Sequence, residues 1–81
     1  MGYTTSDLEM AEHHIIEGER HLAKQRLLVA KLAERAAPAP LQQQARELLA
    51  QFELTLQAHR THRDEIREAL HRQAVADARD L

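Results

Sequence analysis

Apolar residues recur along the chain at intervals of three, four and seven, the pattern of α-helices with one buried face. In the first half, Leu8, Ile15, Leu22 and Val29 are spaced by seven. The second half holds three neighbouring rows at the same spacing, which are Leu41, Leu48, Ala69 and Ala76, then Ala45, Phe52 and Ile66, then Leu49, Leu56 and Leu70. The spacing predicts two amphipathic helices whose apolar stripes are wider than a two-stranded coiled-coil seam.

Residues that start and stop helices place the boundaries. Ser6 followed by Glu9 is typical of a capping box, and from there to Ala36 only Gly18 disfavours a helix. The segment "APAP" then interrupts the pattern, because a residue before proline is pushed out of the helical region. We therefore predict helix 1 over about 7–36, a turn over 37–40 and helix 2 over about 41–78.

A turn of about four residues makes successive helices antiparallel, so the predicted fold is all-α, an antiparallel two-helix hairpin forming one domain over 1–81. A hairpin is a single layer, and one partner helix cannot cover stripes this wide. We therefore expect two hairpins to dimerise into a four-helix bundle. The expected oligomer interface consists of Leu8, Ile15, Leu22, Val29, Leu48, Phe52, Leu56, Ile66 and Leu70.

The stretch "LQAHRTHRDEI" places ionisable residues within or beside the stripe of helix 2. If the hairpin turns between Pro38 and Ala39, Gly18 lies opposite His59, where a glycine would make room for an imidazole. We predict a buried polar layer that sets the register, with an Arg63 to Glu19 ion pair and histidines bonded to a glutamine or to the symmetry mate. The layer consists of His14, Gly18, Glu19, Gln25, His59, His62 and Arg63.

A metal site is the alternative use of the same residues. His59 and His62 share a helix face, and His14 or Glu17 can approach from helix 1. Di-iron bundles, however, need Glu-x-x-His on two helices, and here only one pair, near the C-terminal end, has that order and spacing. Arg63 would also repel a cation. The sequence therefore favours the polar layer, and we expect no cofactor and solvated side chains for the other three histidines.

The composition excludes several classes of function. The net charge is −2, with acidic and basic residues interleaved, which argues against binding of nucleic acid or an anionic membrane. No apolar run approaches the roughly 20 residues of a membrane span. There is no cysteine, which fits a reducing cytoplasm. There is no glycine-rich phosphate loop, and the single serine, Ser6, is better used as a cap, so we expect no catalytic residues and no enzyme.

Two segments, "HHIIEGERHLAKQRLLVAKL" and "LLAQFELTLQAHRTHRDEI", flank the proline-rich turn. Together they resemble a group of short uncharacterised bacterial helical-hairpin proteins. The resemblance covers most of the chain and implies a bacterial, cytosolic hairpin, but it carries no activity or site residue. We expect a small soluble interaction module that self-associates. The alternatives are a regulator that docks a helix of another protein and a His/Glu metal-binding bundle.

Overall fold

A computed structural model of the chain describes residues 2–80 as two helices packed against each other. Helix α1 spans Thr5–Glu34 and helix α2 spans Ala39–Arg79. They form an elongated body of 66 × 15 × 14 Å, which confirms the predicted all-α pair of helices. Met1 and Leu81, the ends of the predicted domain, lie outside the described residues. Over residues 2–80, neither helix has a stretch long and apolar enough to cross a membrane.

Helix α1 begins with a capping box two residues earlier than predicted. The Thr4 hydroxyl accepts a hydrogen bond from the Asp7 amide at 3.2 Å, and the Asp7 carboxylate accepts one from the Thr4 amide at 2.8 Å. The predicted box of Ser6 and Glu9 is therefore wrong. Aspartate replaces glutamate in the return bond, so Thr4 satisfies the same capping requirement and Ser6 lies inside the first turn.

The chain reverses through a Schellman motif at the end of α1. The Ala37 amide donates to the Leu32 carbonyl at 3.0 Å, and the Ala36 amide donates to the Ala33 carbonyl at 3.1 Å. Ala36 has a φ of 50°, in the left-handed region that usually holds glycine at this position. Left-handed backbone costs an L-residue about 1–2 kcal/mol. Helix α1 therefore ends before the predicted residue 36, and its last carbonyls are satisfied by the turn.

Helix α2 starts on the proline-rich segment itself. The Pro38 carbonyl accepts the Gln42 amide at 3.1 Å, and the Gln42 side-chain amide donates to the Ala37 carbonyl at 2.7 Å. Pro40 lies in the first turn, where its missing N–H has no helical partner to lose. The helix therefore begins before the predicted residue 41. At its other end, it extends one residue beyond the predicted 78.

The core is one line of side chains between the two helices. Ile15 and Leu22 of α1 enclose Leu56 of α2, and Leu49 and Phe52 pack against this cluster. Leu56 is only 1% exposed. Burying a side chain of this size stabilises the fold by roughly 1.5–3 kcal/mol. Because a hairpin is a single layer, this line of contacts has no second layer of helices behind it.

In the middle of the hairpin, Gly18 packs against α2 at Leu56. A Cβ atom on Gly18 would lie 3.1 Å from Leu56 Cδ1. Gly18 therefore faces Leu56, and the predicted pairing with His59 is wrong. The physical reason is burial, because the apolar Leu56 is 1% exposed at this contact, whereas an imidazole buried as deeply would need hydrogen-bond partners. His59 follows Leu56 by about one helical turn on α2 and lines the same cleft as Gly18.

Replacing Ala36 with glycine should stabilise the hairpin by about 0.5–1 kcal/mol, because glycine adopts positive φ without a Cβ penalty but loses more entropy on folding. Thermal and urea unfolding measure the difference. Ala30→Gly, at an exposed position inside α1, is the matched control and should destabilise by up to about 1 kcal/mol. Equal destabilisation by both changes would show that Ala36 is not left-handed.

Replacing Thr4 with alanine should destabilise the hairpin by about 1 kcal/mol, because the Asp7 amide loses its acceptor. Ser6→Ala should change stability by only a few tenths of a kcal/mol, since Ser6 is not the cap. Unfolding of both variants under the same conditions gives the comparison. A larger loss for Ser6→Ala would return the cap to the position predicted from the sequence.

Candidate functional site

Three ion pairs close one side of the hairpin. They join Glu12 to Arg67 at 3.2 Å, Glu19 to Arg60 at 3.5 Å, and Arg26 to Glu53 at 3.8 Å. The members on each helix are spaced by seven, and the sign of charge reverses along both helices together. Exposed pairs contribute about 0–1 kcal/mol each, so their main effect is on register. We call these six residues the ion-pair flank.

The opposite side of the hairpin has a different chemistry. On each helix, its residues lie two positions after charged residues that are spaced by seven. Two positions place a side chain about 200° further round the helix, at 3.6 residues per turn. On α1 the strip is His14, His21 and Leu28, and on α2 it is Leu48, Thr55 and His62. We call these six residues the histidine flank. None of these six carries a permanent charge, and two carboxylates, those of Asp7 and Glu17, lie beside them on this side of the hairpin.

A cleft of about 230 Å³ opens on the histidine flank. Its floor is Gly18 and Leu56, which pack closely against each other. Its walls are His14, Glu17, His21, Phe52, Thr55 and His59. The cleft is therefore a depression with an apolar floor, bordered by imidazoles and by the Glu17 carboxylate.

Two aromatic contacts border the cleft. The rings of His14 and His59 lie 5.4 Å apart between centroids and are tilted by 44°. The ring of His21 lies 6.1 Å from that of Phe52. His21 was expected to be simply solvated, and although it is exposed it forms part of the cleft wall. Its spacing of seven from His14 was the signal that the sequence offered.

A smaller cleft of about 110 Å³ continues the groove toward the start of α1. His14 borders both clefts, and His62 and Tyr3 border the smaller one. Tyr3 meets His62 edge to face at 5.8 Å, which brings the segment before α1 against α2. Ala11 and Ile66 also line this cleft. The groove thus runs along much of the histidine flank.

The hairpin alone does not assemble the predicted polar layer. Arg63 donates to its neighbour Asp64 at 2.9 Å, and Glu19 pairs with Arg60, so the predicted Arg63 to Glu19 pair is wrong. The reason is geometric, because Arg63 falls on the core side of α2 whereas Glu19 lies on the ion-pair flank. The His62 side chain is 54% exposed, and 3.8 Å separates it from Glu65 of the same helix.

Gln25 is the one polar-layer residue that is fully buried, at 7% exposure. Its side-chain amide donates to the Ala45 carbonyl at 2.9 Å, not to a histidine as predicted. His59 and Gly18 are half-buried, while His14 is exposed. Polarity in the core is therefore confined to one directional hydrogen bond near the turn, and the histidines lie at the rim of the core.

The metal candidates divide between the two clefts. His14, Glu17 and His59 border the larger cleft, whereas His62 borders only the smaller one. The Glu17 carboxylate is 3.0 Å from His13, an exposed neighbour on the same helix. Among residues 2–80, no three histidine, aspartate or glutamate side chains meet in an arrangement that would hold a metal ion.

The residues expected at the oligomer interface have different positions in the single hairpin. Ile15, Leu22, Leu56 and Ile66 are buried within it, so they form its own core and offer no surface to a second copy. Leu48 is exposed. The remaining four residues are partly buried, and they are Leu8, Val29, Phe52 and Leu70. The expected interface therefore combines residues that face the other helix with residues at the edge of the stripe, and the interface itself stays a prediction.

The resemblance to short bacterial hairpin proteins concerns the same two helices that form these clefts. Comparison with known protein families, curated proteins and solved structures finds no match to the chain. The resemblance stays a prediction, and the roles of the cleft residues follow from their geometry. Exposed and half-buried imidazoles around an apolar floor suit the binding of another surface, in which some polar groups keep partners at the rim.

Replacing Gly18 with leucine should destabilise the hairpin by about 1–3 kcal/mol, because the new side chain meets the buried Leu56. Helix propensity alone favours the change by up to about 1 kcal/mol, so a loss identifies crowding as its cause. Ala23→Leu, at an exposed position of α1, is the control and should be nearly neutral. Thermal melts compare them, and a Gly18→Leu protein as stable as the native chain would contradict the close approach.

Proposed function

We propose that the chain is a small soluble interaction module that associates with itself, without catalytic activity, as a homodimer or a higher even oligomer. In this proposal two hairpins pack into a four-helix bundle, and the module works in the cytoplasm. The observation that carries the proposal is the mismatch between a thin core and a long list of exposed large apolar side chains. The latter are Tyr3, Met10, Ile16, Leu27, Leu28, Leu41, Leu48, Leu54 and Val75.

The energetic argument starts from that mismatch. A chain of this size buries a smaller share of its surface than a larger domain, so its stability is marginal without help. The sequence has no cysteine, so a disulfide cannot supply that help. A second hairpin can bury apolar surface at roughly 25 cal/mol per Å², part of which offsets the entropy lost on association. Self-association is the common remedy for small helical scaffolds.

A His/Glu metal-binding bundle is the second candidate. The observation in its favour is the pair His14 and His59, whose ring centroids are 5.4 Å apart beside Glu17. Two imidazoles that share one tetrahedral metal at Zn–N distances of about 2.0–2.1 Å have a comparable separation. Metal analysis of tag-free protein, with a His14→Gln, His59→Gln variant as control, decides this candidate. Stoichiometric zinc lost in the variant would replace the first proposal with this one.

Light scattering of the chain at micromolar concentration should give twice the 9.3 kDa mass of one chain, or a higher even multiple. The melting temperature should rise with protein concentration, because association stabilises the folded state by mass action. A clean monomer whose melting temperature is independent of concentration would contradict self-association. It would favour instead a module that waits for a helix of another protein.

A further inference from the structure

The two sides of the hairpin differ in what a second protein surface would have to displace. On the ion-pair flank, six charged side chains already have partners across the helices. Covering them with a second surface would remove water from all six charges. The free energy of association would gain little, because the desolvation cost offsets the Coulombic attraction. On the histidine flank, contact removes water from leucine, threonine and imidazole groups and from two carboxylates, those of Asp7 and Glu17, which border the clefts. The cost of covering the second flank is therefore lower.

We infer that the histidine flank is the surface on which a second copy of this chain docks, an inference that rests on the proposed self-association. The flank offers both shapes that helix packing needs. Leu28 and Leu48 protrude from it near the turn, at 44% and 41% exposure. The cleft over Gly18 is a hole beside them, and protruding side chains pack into such holes between helices.

The size of this face fits a second copy. The 30 residues of α1 rise roughly 45 Å at 1.5 Å per residue, and the hairpin is 15 Å across. One face therefore offers on the order of 700 Å², close to the roughly 800 Å² that each partner buries in a stable interface. The six flank residues carry no permanent charge, so the two carboxylates that border the clefts, Asp7 and Glu17, are the charges that a second copy must leave hydrated or apart.

Other exposed apolar residues lie outside the histidine flank, on the outer faces of the two helices. Leu27 and Leu54 are exposed at 55% and 69%, and each points away from the opposite helix. Ile16 lies on the same outer side of α1, nearer the ion-pair flank. These residues are spread along single helices and line neither cleft. They protrude where no cleft lies beside them. Substitutions at these positions are therefore suitable controls for substitutions on the histidine flank.

Two matched pairs of variants test the surface. Leu28→Glu and Leu48→Glu place a charge on the histidine flank, whereas Leu27→Glu and Leu54→Glu place the same charge on the outer faces. Sedimentation equilibrium should show the dimer weakened at least about tenfold by each flank variant and by less than about threefold by each outer variant. Circular dichroism at matched concentrations reports whether the helices persist.

A milder probe covers the case in which a charged variant unfolds on dissociation. The chain has no cysteine, so Leu28→Cys and Leu27→Cys each introduce a single thiol on neighbouring residues. Maleimide labelling at Leu28→Cys should slow at least about fivefold as protein concentration rises through the dissociation constant, while labelling at Leu27→Cys should not.

The outcomes separate the two levels of the proposal. A native dimer weakened equally by all four charged variants, or more by the outer pair, would overturn the histidine flank as the interface and leave self-association standing. Concentration-dependent protection of the thiol at position 27 instead of 28 would do the same. A monomeric native chain would overturn both, because no second copy would then occupy the flank.

Discussion

The close approach of Leu56 to Gly18 is the interaction on which the rest of the hairpin depends. Leu56 is enclosed between Ile15 and Leu22, and a Cβ atom on the glycine would already lie within 3.1 Å of it. This packing draws the helices together at mid-length and fixes which residues face each other. Gly18 and Leu56 also form the floor of the larger cleft, so one contact belongs to the core and borders a surface feature as well.

Electrostatics then makes the two sides of the hairpin unequal. Because charges at positions spaced by seven reverse in sign on both helices, only the observed antiparallel register brings each glutamate opposite an arginine along the whole flank. A slip by one heptad would leave one pair unmatched at the end and bring like charges together where the sign reverses, a small cost for each exposed pair. The Gln25 side chain adds a directional bond to the Ala45 carbonyl, which any slip would break. Polar groups therefore reinforce the register that the packing of Leu56 against Gly18 sets.

The two helices were predictable because long periodic stripes and a proline-rich break are strong local signals. The side-chain contacts between the helices were harder to predict, since they depend on how the two helix faces interlock. The left-handed conformation of Ala36 also had no sign in the sequence, whereas a glycine there would have indicated it. Gly18 packs against Leu56 and not His59, and Glu19 pairs with Arg60 and not Arg63. The histidines that the sequence singled out lie at the rim of the core and not within it. The ion-pair flank could have been found from the spacing of seven among the charged residues.

A single-layer fold links folding to association more closely than a larger domain does. Every apolar side chain that does not face the opposite helix stays at the surface, so most of the burial still available to the chain lies between molecules. If a second copy covers the histidine flank, part of the stability of the helices depends on protein concentration through mass action. Imidazoles at the rim suit such an interface, because they add polar contacts that constrain orientation while leaving the cleft floor apolar. The residues that looked misplaced in the stripe of helix 2 would then contribute to the choice of partner, while Leu56 and Ile66 beside them hold the hairpin together.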